Sequence, residues 1–493
     1  MRNGEMVRKS KLQREIEAYL SKGRYPFHMP GHKRTALFDN GLPYAMDLTE
    51  LPETDDLHDA SGMLLRAMRR SAELYGAGRT WYLVNGSSCG NLAGIFAMTR
   101  PGDEVVAARN CHRSVYHAAQ LRNLKVHWLL PDWEEEFGIF GSVRAEEAER
   151  LLRRYPKSRA LILTSPSYEG IVSDIESIAA LCHERGVPLY VDEAHGAHFG
   201  LEREGKSFFP SSAIQLGADL CVQSVHKTLP SLTQTAWLHW KSKLVSEREV
   251  GRRLAVFESS SPSYPLLLSL DSCTELLLSR GEELFSHWGS CLADFERELA
   301  GLQNFSILKG RRGGHFFDRD PGKLLLHCKE REMSGAALSE ALRERFSIET
   351  EMSLGRNCLA MTSPLDPEEA YRRLFDAMKT LDRELSLRER NIAPPFLKGR
   401  ESAFYGSALP LPESALSLGE AAERAHRLIP IGSSLGEISG EYLYAYPPGI
   451  PVLAPGERIT EELLRWILRE TEAGDRLRFS ESGEESGGIF VCQ

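Results

Sequence analysis

Through the middle of the chain, the spacing of apolar residues switches between two periods. Short apolar runs read as buried strands at Thr80 to Val84, Glu104 to Ala108, Lys125 to Leu130, Ala160 to Thr164, Pro188 to Asp192 and Asp219 to Ser224. Between them, apolar residues recur every three or four positions, which predicts helices near 113–122, 144–154 and 174–185. Strands separated by helices require right-handed crossovers and a mostly parallel sheet, whose functional edge is formed by the strand C-termini. Further helices are predicted at 8–22 and 61–76, at the pattern Leu92, Ile95, Phe96 and Met98, and over about 266–300 after the polar hinge Glu258 to Pro265. Residues 304 to about 382 hold short strands, such as Lys323 to His327 and Cys358 to Thr362, and a helix from Pro367, which reads as a small α/β domain. Gly23 to Thr35 reads as an extended arm with Pro26 and Pro30, suited to crossing to another subunit; the plain alternative is a leader without fixed structure. Arg383 to Lys398, charged and carrying Pro394-Pro395, reads as a linker.

A chain of 493 residues is too long for one core of ordinary size, so two or three domains are expected. Its 42% hydrophobic and 26% charged residues place it among soluble globular proteins. The net charge of -9 argues against nucleic acid or an anionic membrane as the main partner, while a small cation is weakly attracted. No apolar run of about 18 residues is present to span a bilayer. The first residues are basic and helical without an apolar signal core, so the cytoplasm is the expected location. The cysteines, at 89, 111, 182, 221, 273, 291, 328, 358 and 492, form no C-x-x-C pair; reduced thiols are expected, and no metal is assigned.

The candidate chemistry gathers at predicted strand ends. After Leu220, Val222 and Val225 the chain breaks into His226, Lys227 and Thr228, delivering a lysine to the sheet edge. Burial lowers the pKa of a lysine, and a neutral amine forms a Schiff base with an aldehyde. Ser224 and His226 would supply hydrogen bonds to an anion such as a phosphate; the plain alternative is a surface lysine following a strand. At Asn85 to Asn91, a small-residue turn between strand and helix leaves backbone NH groups free, and with Ser87, Ser88 and Cys89 it reads as a phosphate cup. An ordinary Ser cap with a Gly turn is the alternative there. Asp192 and Ala194 are two apart, so they share a face; the carboxylate suits a protonated pyridine nitrogen, and the small methyl lets a flat ring lie close. His195 stands beside that pair as a candidate substrate contact, whereas His117 and His198 read as structural. His112 follows another strand end, where the plain reading is a helix-entry histidine bonded to backbone.

With these residues in place, the chain resembles, over nearly its whole length, the short bacterial decarboxylases for ornithine, lysine and arginine, which use pyridoxal 5'-phosphate (PLP). The resemblance is carried by Ser224 to Lys227, by Asp192 to His195, by His28-Met29-Pro30-Gly31-His32-Lys33 and by Tyr446-Pro447-Pro448-Gly449-Ile450-Pro451. It implies an α/β architecture of the PLP-dependent transferase fold type I, with a mostly parallel seven-stranded-type sheet, a small α/β domain and a C-terminal α+β domain. The expected boundaries are 1–60 for the N-terminal helix and arm, 61–265 for the large PLP-binding domain, 266–390 for the small domain and 391–493 for the C-terminal domain.

The family pattern implies Lys227, His112 and Asp192 as catalytic residues. Ser87, Ser88, Cys89, Ala194, Ser224 and His226 join them around the cofactor. Ser259 and Ser260 would reach the phosphate of a neighbouring subunit's cofactor, with a plain hinge as the alternative. His195 and Glu457 are expected at the substrate, and Glu53 or Asp55 from a partner subunit are rivals for its distal cation. The chain opens directly on the arm, without the receiver-like domain of the larger inducible members. A homodimer or dimer of dimers with active sites at the interface is therefore expected. The implied reaction converts L-arginine to agmatine and CO2, as in polyamine biosynthesis, with lysine and ornithine next in order. A PLP aminotransferase or lyase, in which Arg356 would grip the substrate carboxylate, and a non-catalytic regulator both stay open, as does the choice between biosynthetic and acid-protective roles.

Overall fold

A computed structural model describes residues 9–22, 43–201, 208–309, 316–329, 333–388, 411–445, 450–473, 477–482 and 487–493. The expected arm at 23–35, the motif at 446–449 and most of the expected linker, from residue 389 on, lie outside the described residues. Contacts group the chain into two compact units, each assembled from three stretches. One takes Met1–Thr99, Ala160–Ser165 and Ile175–His287, and the other takes Arg100–Arg159, Pro166–Asp174 and Trp288–Gln493. No helix among the described residues is long and apolar enough to cross a membrane.

Five strands of the first unit lie in the order Arg79–Leu83, Ala236–Trp240, Leu220–Gln223, Leu189–Asp192, Leu161–Thr164. The last three are mutually parallel, and Ala236–Trp240 runs antiparallel to both of its neighbours. Leu189–Asp192 and Leu220–Gln223 are buried at every position, which explains why their sequences show continuous apolar runs rather than alternation. Ala236–Trp240 had no such signature because His239 interrupts it. That imidazole is fully buried, bonded to Thr80 Oγ1 at 2.7 Å and Gln223 Oε1 at 3.0 Å, and burial pushes its pKa down to about 3.

The helix Gly86–Met98 lies on one face of these strands. An added Cβ at Gly94 would stand 2.3 Å from the Tyr190 ring, and one at Gly90 would stand 2.6 Å from Val222 Cγ2. Only glycine permits so close an approach of backbone to sheet. Tyr75, in the helix Met63–Tyr75, packs edge-on against Trp237 and at a tilt against His239.

In the second unit, Glu104–Ala108 and Lys125–Leu129 form a parallel pair. Antiparallel strands in the order Phe305–Ile307, Lys323–Cys328, Asn357–Met361, Met352–Leu354 form the sheet of the small α/β region, with the helices Gly335–Phe346 and Glu368–Arg388. Towards the C-terminus, Leu443–Ala445 pairs with Ile450–Leu453 and Leu477–Phe479. The helix Glu461–Ala473 adds Leu463, Trp466 and Ile467 to a core shared with Leu443, Val452 and Leu453. Among the described residues all nine cysteines are buried, and no His, Cys, Asp and Glu cluster fits a metal ion.

Candidate active site in the first unit

The strand Leu220–Gln223 ends at Ser224, which is 1% exposed, and the chain turns at once into the four-residue helix Val225–Thr228. That turn brings Lys227 round so that its Nζ is hydrogen-bonded to His195 Nε2 at 2.9 Å. This contact pairs the amine with an imidazole rather than with a carboxylate. Ser224 Oγ donates to Ser87 Oγ at 2.8 Å, joining the lysine loop to the start of the helix Gly86–Met98. His226 bonds through Nδ1 to the Thr235 carbonyl at 2.9 Å, and burial lowers its pKa, so the ring stays neutral.

Asp192 closes the strand Leu189–Asp192 with only 2% of its surface exposed. Its Oδ2 accepts from Asn91 Nδ2 at 2.8 Å and its Oδ1 from the Ala194 NH at 3.1 Å. Burial raises the pKa of this carboxyl, while the Asn91 bond, the positive charge of Lys227 and the Ala194 NH hold it down. Glu193, the next residue, faces the other way. It accepts from Ser212 Oγ at 2.8 Å, the Ala213 NH at 2.8 Å and Gln223 Nε2 at 2.7 Å, and burial pushes its pKa up to about 7.

The expected small-residue turn is mostly helix. Gly86 starts it at φ +75°, so Ser87 through Asn91 occupy its first turns. Asn85 provides no side-chain cap, which leaves the first NH groups of a 13-residue helix available to an anion. Ser87 is half-buried and Ser88 exposed; Cys89 is buried and its thiol pushed far up by burial, so it contributes packing rather than a thiolate. Glu258 Oε1 accepts from the Val84 NH at 2.6 Å just before the cup, and burial raises its pKa to about 7. Ser259 and Ser260 are exposed, and the Ser259 carbonyl accepts from His58 Nε2 at 2.9 Å.

Other candidates are already engaged elsewhere. Glu457, in the second unit, is 2% exposed and held by both guanidinium nitrogens of Arg109 and by the Ala454 NH at 2.8 Å. The expectation that it meets a substrate cation is therefore withdrawn for this fold: its oxygens already serve a buried ion pair. Asp55 accepts from the NH groups of Ser61 at 3.0 Å, Gly62 at 2.8 Å and Leu64 at 3.0 Å, anchoring the entry to the helix Met63–Tyr75, and Glu53 pairs with Lys22. Arg356 is bonded to the Lys329 carbonyl at 2.9 Å. His112, also in the second unit, is exposed and caps the helix Arg113–Leu121, with Nδ1 2.8 Å from Ser114 Oγ.

Comparison with known families gives these residues a context. Residues 11–310 match the model of the Orn/Lys/Arg decarboxylase major domain, and 407–477 match that of its C-terminal domain. The chain belongs to the Orn/Lys/Arg decarboxylase family. Within the family, it is similar to an arginine decarboxylase of Bacillus subtilis, with 31% identity over 93% of each chain. Among solved structures, the lysine decarboxylase LdcF of Francisella novicida shares the fold at a TM-score of 0.81 and 19% identity, over 98% of this chain and 81% of that one. A serine palmitoyltransferase solved with PLP matches at a TM-score of 0.51 and 14% identity, over 66% of this chain and 77% of that one. The central strands thus share the α/β fold of that lysine decarboxylase.

In this Orn/Lys/Arg decarboxylase family member, the sequence reading missed Asn91. The available signal was its position four residues after Ser87 on a helix, which puts both side chains on one face.

Proposed function

We propose that this chain is a PLP-dependent decarboxylase of a basic amino acid and that its substrate is L-arginine, released as agmatine and CO2. The observation that carries the reading is the Lys227 amine bonded to His195 beside the buried, Asn91-supported carboxyl group of Asp192. Arginine is favoured because the relative that is 31% identical over 93% of each chain is an arginine decarboxylase, whereas the lysine enzyme LdcF is only 19% identical. The donor set fits PLP: an amine for its aldehyde, a carboxylate for its ring nitrogen, and uncapped helix NH groups with two bonded serines for its phosphate. PLP, when bound, supplies an electron sink for the bond broken as CO2 leaves.

The chain's own residues do the rest. Asp192 keeps a proton on the ring nitrogen, and a positive partner offsets the burial that otherwise raises its pKa. Ala194 offers only a methyl, leaving room for a flat ring. His195 takes a proton from Lys227 Nζ, so the amine is free to attack, and returns it when the amine must act as an acid. Protonation at the substrate Cα is assigned to Lys227, with His112 as the second donor that the family pattern implies. Ser87, Ser88 and Ser224 hold the phosphate; Ser259 and Ser260 serve that of a neighbouring subunit, in a homodimer or dimer of dimers located in the cytoplasm. The distal guanidinium has no assigned carboxylate in this chain.

The test is incubation of the purified protein and PLP with arginine, lysine and ornithine, reading CO2 together with agmatine, cadaverine or putrescine. Agmatine is expected; keto acid in place of CO2 would point to transamination. Lys227→Ala is expected to abolish turnover, and a pure variant that retains it refutes the assignment.

A further inference from the structure

The strand Leu161–Thr164 ends on a group with no role in the scheme above. Thr164 Oγ1 is buried and has no hydrogen-bond partner among the described residues, a costly state for a hydroxyl. In register, Thr164 lies opposite Asp192 on the neighbouring parallel strand. Strands are spaced about 4.8 Å apart, and residues paired across them present their side chains to the same face. That face carries the helix Gly86–Met98, since Asn91 reaches Asp192 from it at 2.8 Å and Gly94 packs on Tyr190, two residues before Asp192.

Strand order supplies the direction. Asp192 stands between the strand that leads to Ser224 on one side and the strand that ends at Thr164 on the other. The phosphate-binding hydroxyls, Ser224 and Ser87, are bonded to each other on the first side. A pyridine with its nitrogen on Asp192 and its phosphate arm towards those serines turns its opposite edge to Thr164. In PLP that edge bears the phenolic oxygen. We propose that Thr164 is a further cofactor-binding residue, whose hydroxyl donates to the phenolic oxygen of bound PLP and thereby sets the acidity of the Lys227-linked cofactor. This rests on the reading of PLP held by Lys227.

The consequence is spectroscopic. The phenolic oxygen and the Lys227 nitrogen share one proton, and loss of that proton leaves the oxygen with its full negative charge. A donor on the oxygen stabilises that form, so it lowers the pH at which the chromophore loses the proton. Removing the donor raises it, by about 1–2 pH units for one hydrogen bond to a charged group.

The experiment titrates the absorbance of the PLP-loaded wild type, Thr164→Val and Thr164→Ser. Valine keeps the shape without the hydroxyl, and serine keeps the hydroxyl. An upward shift in Thr164→Val, with Thr164→Ser close to wild type, is expected, together with roughly 3- to 10-fold weaker PLP retention in the valine variant. An unshifted Thr164→Val, or a Thr164→Ser variant shifted as far as it, overturns the proposal. Thr164→Ala decides in the same way if the valine variant does not fold. A wild type with no PLP chromophore, and no borohydride label on Lys227, would instead remove the underlying reading and the proposal with it.

Discussion

At Asp192, burial and hydrogen bonding pull in opposite directions. The buried carboxyl is driven towards its neutral form, and Asn91 is the first of the groups that oppose this. Asn91→Leu keeps a similar volume and removes the donor to Oδ2. The carboxylate is then less able to hold a proton on a ring nitrogen, and PLP retention is expected to fall about tenfold or more, as for loss of a hydrogen bond to a charged group. An absorbance titration of the apoprotein with PLP measures it. Lys227 and Asp192 were legible in the sequence because each is a polar residue closing an apolar strand. Asn91 was not, because its partner lies 101 residues away. Distance hid the fate of Glu457 even more completely: its partner Arg109 is 348 residues distant, and no local pattern reports that a carboxylate is already paired.

Among the elements, the helix Gly86–Met98 does the most to shape the site, because it carries both the uncapped NH groups and Asn91. It can lie close enough for Asn91 to reach Asp192 because Gly90 and Gly94, one turn apart, meet the strands without side chains. Gly94→Ala would force its Cβ to 2.3 Å from the ring of Tyr190, which is fully buried and has nowhere to move. A stability loss of about 1–3 kcal/mol is expected, as for other overpacked cores, and a lowered thermal midpoint with weaker PLP binding is the readout. Most strand boundaries were readable to within a residue or so from apolar runs. The strand Ala236–Trp240 and the early start of this helix were not: a buried histidine broke one pattern, and small polar residues that suit turns and helix starts alike blurred the other.

Across the molecule, burial leaves carboxyls whose ionisation opposes folding. The pKa values of Glu193 and Glu258 are both pushed up to about 7. A carboxyl raised in the folded state stabilises the fold fully below its unfolded pKa and loses that contribution as pH climbs through the folded value. Glu193 therefore weakens the protein progressively from the usual carboxylate range up to about pH 7. Glu193→Gln cannot ionise, so its stability relative to wild type is expected to rise by about 1–3 kcal/mol between mildly acidic and mildly alkaline buffer. Urea midpoints of both proteins across that range measure the difference, and a constant difference would mean that Glu193 does not titrate there.

The sequence alone determined the alternation of strands and helices, the strand ends that hold Lys227 and Asp192, and the resemblance that points to PLP, because each is written in local spacing or a contiguous motif. Tertiary structure alone decided what those groups meet: His195 on the lysine, Asn91 on the carboxylate, Arg109 on Glu457, and an unmatched hydroxyl at Thr164. The physical reason is that hydrogen bonding and desolvation act between neighbours in space, and in this chain those neighbours stand from 32 to 348 residues apart.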